Sequence, residues 1–335
     1  MVIKALVCLI PVFLFLVMLL YLDSLKLVGK ILLLLCLFWG IFSSGISFFL
    51  NTWLLRNLGL NFETYSRFIA PLVEEMLKCS IFIVLLRRNK IGFMIDGAIY
   101  GFSIGAAFSF AENIFYLFNY AGEESNLLTW IIRGFGTAIM HGGTTAIFGI
   151  LCMSALNRQL SLVTAVASGL SAAIVVHGIY NLFLVSPLVS TVIIILMVPL
   201  CIVFIFQINE KSIRDWLELE FDSEVTMLRM IRKGQFSRTK TGKFLVSLKQ
   251  HFPGEEVLDM YCFISLYLEL SIKAKSMIML RENDLIVAAD PELPDKLKEL
   301  KALKKSIGRG GLLAISPVLR MSRKDFWKLY LLEKA

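Results

Sequence analysis

The sequence predicts an all-α, polytopic membrane protein: a bundle of about seven transmembrane helices followed by a helical soluble C-terminal domain. Hydrophobic residues make up 57% of the chain and the mean hydropathy is +0.74, whereas soluble domains contain about 45–50% apolar residues. The excess is confined to residues 1–208, while residues 209–335 hold 23 of the 34 Lys and Arg residues and have an ordinary soluble composition. We therefore expect two domains, 1–208 and 209–335.

Seven apolar segments are long enough to cross a bilayer, whose hydrocarbon core needs about 20 helical residues. The first could be mistaken for a signal peptide, but its apolar run is longer than the usual one and no small-residue cleavage motif follows. We therefore expect it to remain as a span. Short polar connectors separate the segments, which lie at residues 4–22, 31–55, 66–86, 91–120, 127–156, 161–185 and 188–208.

The distribution of basic residues predicts the orientation, because Lys and Arg accumulate in cytoplasmic loops. A basic run at residues 87–90 follows the third segment, Arg158 follows the fifth, and the basic tail follows the seventh. The loops that follow the even-numbered segments lie on the other side of the membrane, and they include the acidic pair Glu123 and Glu124. We expect a multi-pass protein of the plasma membrane with its N-terminus outside and residues 209–335 in the cytoplasm.

Cysteine usage and the basic tail narrow the class of partners. The six cysteines form no CxxC pair, and five lie in apolar segments, as is typical of small core residues. Basic residues of the tail are interleaved with acidic ones, which does not predict a nucleic-acid partner and fits a domain near anionic lipid. The lipid bilayer is therefore the expected environment of the chain.

Ionisable side chains inside the apolar segments are the strongest functional signal, because each costs about 2.5–3.5 kcal/mol to insert. By the predicted topology, the glutamates and the histidine of the sixth segment lie about eight or nine residues from the outer ends of their segments, or roughly 12 Å deep. The histidine of the fifth segment lies deeper. The residues are Glu74, Glu75 and Lys78 in the third segment, Glu112 in the fourth, His141 in the fifth and His177 in the sixth.

The spacing of these residues suggests how they cooperate. Lys78 lies four residues after Glu74 and three after Glu75, so it reaches either carboxylate and leaves the other free to handle a proton. His177 and Asn181 lie four residues apart on one helix face, where they can donate to a developing oxyanion.

Three motifs in order along the chain resemble the PrsW family of membrane-embedded endopeptidases, which is related to the type II CAAX prenyl proteases. They are EExxK at residues 74–78, FxxxEN at 108–113 and HxxxN at 177–181, and the resemblance covers about residues 65–185. It implies hydrolysis of peptide bonds in a membrane-anchored protein substrate, near the outer face. Relatives often end the third motif in an acidic residue, whereas this chain has Asn181.

Two catalytic mechanisms remain open at this stage. In the first, a glutamate activates water, and His177 with Asn181 stabilises the oxyanion. In the second, Zn²⁺ bound by Glu75, His141 and His177 activates the water. We favour the metal-free mechanism, with no cofactor, because HExxH is absent and Asn181 suits it. Glu75 is the preferred base and Glu74 its rival; the full catalytic set is Glu74, Glu75, Glu112, His141, His177 and Asn181.

Two non-proteolytic functions compete with this hypothesis. A non-catalytic membrane scaffold would use the buried polar residues only as hydrogen bonds between helices. An ion- or proton-coupled transporter would use them as a relay, although the sequence shows no inverted repeat and no pair of broken helices. Proteolysis by the purified protein would distinguish the three.

The charge pattern makes the topology testable. We expect a cysteine engineered into the loop at residues 121–126 to react with a membrane-impermeant reagent in intact cells, and one in the tail at residues 209–335 to react only after lysis. Mass-shift labelling measures both. Reaction of the tail in intact cells would invert the orientation.

Overall fold

A computed structural model describes residues 1–21, 23, 28–120, 126–282, 285, 290–319 and 332. No β-strand occurs within these ranges, which confirms the predicted all-α class. The chain divides into two compact units, Met1–Asn209 and Glu210–Ala335.

The described part of the first unit contains eight helices and the apolar part of a ninth, Pro187–Ile208. Two π-helical turns, Tyr65–Ile69 and Ile132–Thr137, lead directly into α4 and α7. The helices are α1 (Val2–Tyr21), α2 (Lys30–Leu58), α3 (Phe62–Thr64), α4 (Ala70–Arg87), α5 (Met94–Tyr120), α6 (Leu127–Ile131), α7 (Ala138–Asn157), α8 (Leu162–Asn181) and α9 (Pro187–Arg232).

Six helical segments of the described chain are long and apolar enough to cross a membrane, so the protein is an integral, multi-pass membrane protein. The segment predicted at residues 66–86 is the exception. Its main helix, α4, has 18 residues and includes Glu74, Glu75, Lys78 and Arg87. The same charges that mark the segment as a candidate functional site make it less apolar than the six other helices. That α4 spans the bilayer stays a prediction.

Helix α5 lies at the centre of the unit, because every residue from Ile95 to Ser109 is buried. A glycine seam lets it approach α7 closely, as the spacing of its glycines predicts. A Cβ added at Gly101 would lie 2.3 Å from the Thr145 carbonyl oxygen, and one at Gly105 would lie 2.0 Å from the His141 carbonyl oxygen. The backbone of His141 is therefore held directly against α5.

The end of the membrane unit differs from the sequence prediction. Helix α8 ends at Asn181 rather than near residue 185, and α9 continues without interruption from Pro187 to Arg232. The predicted seventh span and the first helix of the tail are thus one helix of 46 residues. Apolar and then charged residues can share one helix because both kinds have adequate helix propensity.

The second unit has its own hydrophobic core, built around α11 (Gly254–Glu282). Fully buried side chains of α11 include Met260, Phe263 and Ile264. The remaining helices are α10 (Lys240–Ser247), α12 (Leu293–Ser306) and α13 (Gly308–Leu319). The sequence of residues 323–332 predicts a short amphipathic segment, which lies outside the described residues except for Leu332.

The seam between α5 and α7 yields a stability prediction. We expect Gly105→Ala to lower the free energy of unfolding by about 1–3 kcal/mol, because its methyl group would overlap a backbone carbonyl that cannot rotate away. Gly45→Ala is the matched control, since an added Cβ there meets nothing within 4 Å and alanine is the better helix former. Thermal unfolding in mild detergent measures both. Equal stability of the two variants would contradict a tight seam.

Candidate active site in the membrane bundle

Four helices bring the predicted ionisable residues together into one group, which we call the polar cluster. Its members come from α4, α5, α7 and α8, and all except Glu74 and Glu112 are buried. The His141 and His177 rings meet edge to face, with centroids 4.8 Å apart. The polar cluster consists of Glu74, Glu75, Lys78, Glu112, His141, Thr144 and His177.

Glu75 is the best-connected member of the polar cluster. Its Oε1 accepts from Lys78 Nζ at 2.6 Å, from Thr144 Oγ1 at 3.1 Å and from His177 Nδ1 at 2.8 Å. The side chains of Glu75 and Lys78 are both 0% exposed. An ionised carboxylate only accepts hydrogen bonds, so Nδ1 of His177 carries a proton and Nε2 keeps its lone pair. This Nε2 lies 3.9 Å from Glu74 Oε2.

Lys78 extends the same network to the second histidine. Its Nζ lies 3.0 Å from Nδ1 of His141 and 4.8 Å from the centre of the Phe108 ring. An ammonium group has donors only, so Nδ1 of His141 accepts and the ring proton lies on Nε2. That Nε2 is 3.4 Å from Glu112 Oε2. Lys78 thus sets the tautomer of His141, as Glu75 sets that of His177.

Glu74 points away from the ion pair and toward α2. Its Oε1 accepts from Asn51 Nδ2 at 3.2 Å, and Asn51 Oδ1 in turn accepts from Tyr65 OH at 2.8 Å. The Glu74 side chain is 15% exposed. Sequence reasoning missed Asn51, although an amide within an apolar segment is the kind of signal that marks a buried hydrogen bond.

Glu112 is held from the other side by Arg133, which lies in the π-helical turn before α7. Arg133 Nη2 lies 3.4 Å from Glu112 Oε1, and the Glu112 side chain is 26% exposed. Sequence reasoning missed Arg133 as well. The available signal was an arginine within the fifth apolar segment, a position where a charge is costly.

Three side chains of the polar cluster have donor atoms suited to a metal ion. One ligand atom each from Glu74, His141 and His177 lies within 4.8 Å of the other two. The sequence analysis grouped Glu75 with the two histidines, whereas the structure places Glu74 there. Consecutive helical residues point about 100° apart, and Glu75 is turned toward Lys78.

Asn181 does not join the polar cluster; it supports the backbone that leads into α4. In the π-helical turn the Ala70 amide donates to the Tyr65 carbonyl, so it does not serve the Ser66 carbonyl. The next amide along is that of Pro71, which has no hydrogen to donate. Asn181 Nδ2 donates to this Ser66 oxygen at 3.0 Å. The side chain therefore satisfies a carbonyl that proline leaves without a partner.

Asp96 has a structural role at the start of α5. Its Oδ2 accepts from the amides of Gly92 at 3.0 Å and Phe93 at 3.2 Å, next to the first turn of α5. These bonds satisfy backbone donors where the helix begins.

The bundle gathers two buried histidines, buried Glu75 and the partly exposed Glu74 and Glu112 around one point, and these are side chains that can serve hydrolytic chemistry. The family model of PrsW family intramembrane metalloproteases matches residues 29–206, more than half of the 335-residue chain. The chain belongs to this family, and it is therefore a membrane protease whose substrates are proteins in the bilayer. No curated protein and no solved structure matches the chain.

The buried ion pair gives a prediction for stability. We expect Lys78→Met to cost about 3–5 kcal/mol of unfolding free energy, because it leaves the Glu75 charge buried without its cation. The double variant Glu75→Gln/Lys78→Met should recover part of that loss. Arg67→Met is the control, since Arg67 pairs with a Glu63 side chain that is 67% exposed and such pairs contribute about 0–1 kcal/mol. A double variant less stable than Lys78→Met would contradict a charged pair.

Proposed function

We propose that the polar cluster hydrolyses peptide bonds of membrane-anchored proteins near the outer face, with Glu112 as general base and Zn²⁺ held by Glu74, His141 and His177. The observation that carries the proposal is the convergence of these three donor side chains within 4.8 Å next to a fourth, partly exposed carboxylate. The alternation of basic loops supports the outer location. Residues 209–335 would then lie in the cytoplasm.

The residues fit the metal that the family name implies. Two imidazoles and one carboxylate are a ligand set that catalytic zinc sites use, with a further position left open. His177 has the support that such ligands usually have, because its other ring nitrogen donates to the Glu75 carboxylate. When bound, Zn²⁺ supplies Lewis-acid polarisation of the scissile carbonyl.

Glu112 suits the role of base better than Glu75. Its Oε1 faces Arg133, and its Oε2 lies 3.4 Å from His141 Nε2, on the side of the polar cluster. As water attacks the carbonyl carbon, Glu112 takes a proton from it and then returns that proton to the leaving amine nitrogen while the C–N bond breaks. Glu75 has no exposed surface, and one of its oxygens already accepts three donors. We assign Glu75 to orienting His177 and Lys78.

A metal-free glutamate mechanism is the second candidate, and one contact favours it. Lys78 donates to Nδ1 of His141 at 3.0 Å, which leaves a proton on Nε2. That N–H is a donor aimed into the polar cluster, where it can stabilise an oxyanion. His141, rather than His177 with Asn181, would then be the donor. Binding of a metal through the same nitrogen requires the loss of this proton.

The central test compares three glutamine variants expressed in cells and assayed by the new N-termini they produce in membrane proteins. We expect Glu112→Gln to lower the rate of cleavage at least about 10²-fold, because general base catalysis contributes about 10²–10⁴-fold. Glu74→Gln should also be inactive. Glu255→Gln, an exposed position of α11, should cleave like the natural protein. Indistinguishable N-termini from the natural protein and Glu112→Gln would instead support a scaffold or a transporter.

Removal of metal decides between the two mechanisms. We expect a strong chelator to abolish cleavage by the purified protein and added Zn²⁺ to restore it, because the Glu74, His141 and His177 donors would again be filled. Glu74→Gln should not recover with Zn²⁺. Full activity after chelation, with no metal left in the sample, would contradict the zinc site and favour the metal-free mechanism.

A further inference from the structure

We propose that Arg133 is the positioning residue for the catalytic base: it holds the Glu112 carboxylate so that one oxygen faces the polar cluster. This inference rests on the proposed function, because it assigns a residue to the same reaction. No sequence motif of the chain points to Arg133. It emerges from the contacts of one guanidinium group with three side chains.

The guanidinium is fixed on several sides. Its Nε donates to Asn113 Oδ1 at 3.0 Å, and its carbon lies 3.7 Å from the centre of the Tyr116 ring. Asn113 is completely buried, and its Nδ2 donates to the Cys8 carbonyl of α1 at 3.3 Å. A planar group held by a hydrogen bond at one edge and a ring at its face has little freedom to turn. Of the two terminal nitrogens, Nη2 lies 3.4 Å from Glu112 Oε1.

This arrangement assigns different roles to the two oxygens of Glu112. Oε1 lies at ion-pair distance from the fixed cation, so Coulomb attraction keeps the carboxylate charge close to Arg133. Oε2 is then directed at the polar cluster, 3.4 Å from His141 Nε2, and it is buried without a hydrogen-bond partner among the described residues. An oxygen in that state can accept a proton from water. Without Arg133 the carboxylate would be free to rotate, and both of its oxygens could accept from other donors.

The π-helical turn Ile132–Thr137 explains how Arg133 and His141 reach the same glutamate. In a regular α-helix, residues eight apart lie about 80° apart around the axis at 100° per residue. A π-helical turn inserts about one extra residue, which reduces that angle to about 20°. Arg133 and His141 therefore share a face toward α5, where Glu112 lies between them. The π-helical turn thus brings Arg133 onto the helix face that carries His141 of the polar cluster.

The test separates positioning from a purely structural role. A membrane protein that is cleaved in cells expressing the natural protein, identified by its new N-terminus, serves as the substrate. Steady-state kinetics of its cleavage are measured in detergent. We expect Arg133→Met to lower kcat about 10–100-fold, as loss of an orienting partner does, with KM changed less than about threefold. Arg133→Lys should recover part of kcat because it restores the charge. Arg67→Met, in the other π-helical turn, is the matched control and should keep full activity.

A double variant gives the decisive comparison. If Arg133 acts through Glu112, Arg133→Met should add no further loss to Glu112→Gln, because effects of residues that act as a unit are not additive. Two results would overturn the positioning role while leaving the peptidase function intact. One is an unchanged kcat in Arg133→Met. The other is a double variant whose kcat falls below that of Glu112→Gln by the whole factor lost in Arg133→Met. Absence of cleavage by the natural protein would overturn the function on which the inference rests.

Discussion

The buried contact between Glu75 and Lys78 is the interaction on which the membrane unit depends. Two opposite charges with no exposed surface are tolerable in a bundle only if nearby groups satisfy their remaining hydrogen-bonding capacity. Thr144 and His177 both donate to Glu75 Oε1, and His141 accepts from Lys78, while Oε2 of Glu75 is buried without a hydrogen-bond partner among the described residues. Helices α4, α7 and α8 are thereby tied together through these side chains. The orientation of both histidine rings follows from that requirement, so the ion pair that stabilises the bundle also prepares the site.

The sequence was sufficient to find the members of the polar cluster but not their individual roles. Charges within apolar segments are so costly that Glu74, Glu75, Glu112, His141 and His177 stood out, and all of these except the deeper His141 were expected at a similar depth. The choice between Glu74 and Glu75 depended on which way each side chain points from adjacent positions of one helix. Motif spacing carries no information on that direction until the neighbouring helices are placed.

Residues that support the site were harder to predict because each acts through a partner distant in the sequence. Asn51 reaches Glu74 from α2, and Arg133 reaches Glu112 from a π-helical turn that helical periodicity does not anticipate. For Asn181 the sequence predicted a catalytic role, and the structure instead gives it a contact with the backbone. Its motif suggested an oxyanion donor, whereas the amide serves the Ser66 carbonyl that Pro71 cannot serve. Where local regularity breaks, a functional or strained site is the usual reason, and both π-helical turns lie beside the polar cluster.

The assignment of Glu74 as a ligand and Glu112 as the base is tested most directly by the metal content of purified variants, measured by plasma mass spectrometry. A catalytic zinc site with three protein ligands predicts about one Zn²⁺ per chain in the natural protein. Glu112→Gln should retain this metal because its carboxylate is not a ligand, and Glu74→Gln should lose it. An active natural protein that contains no metal, or a Glu74→Gln variant that retains it while Glu112→Gln does not, would contradict the account.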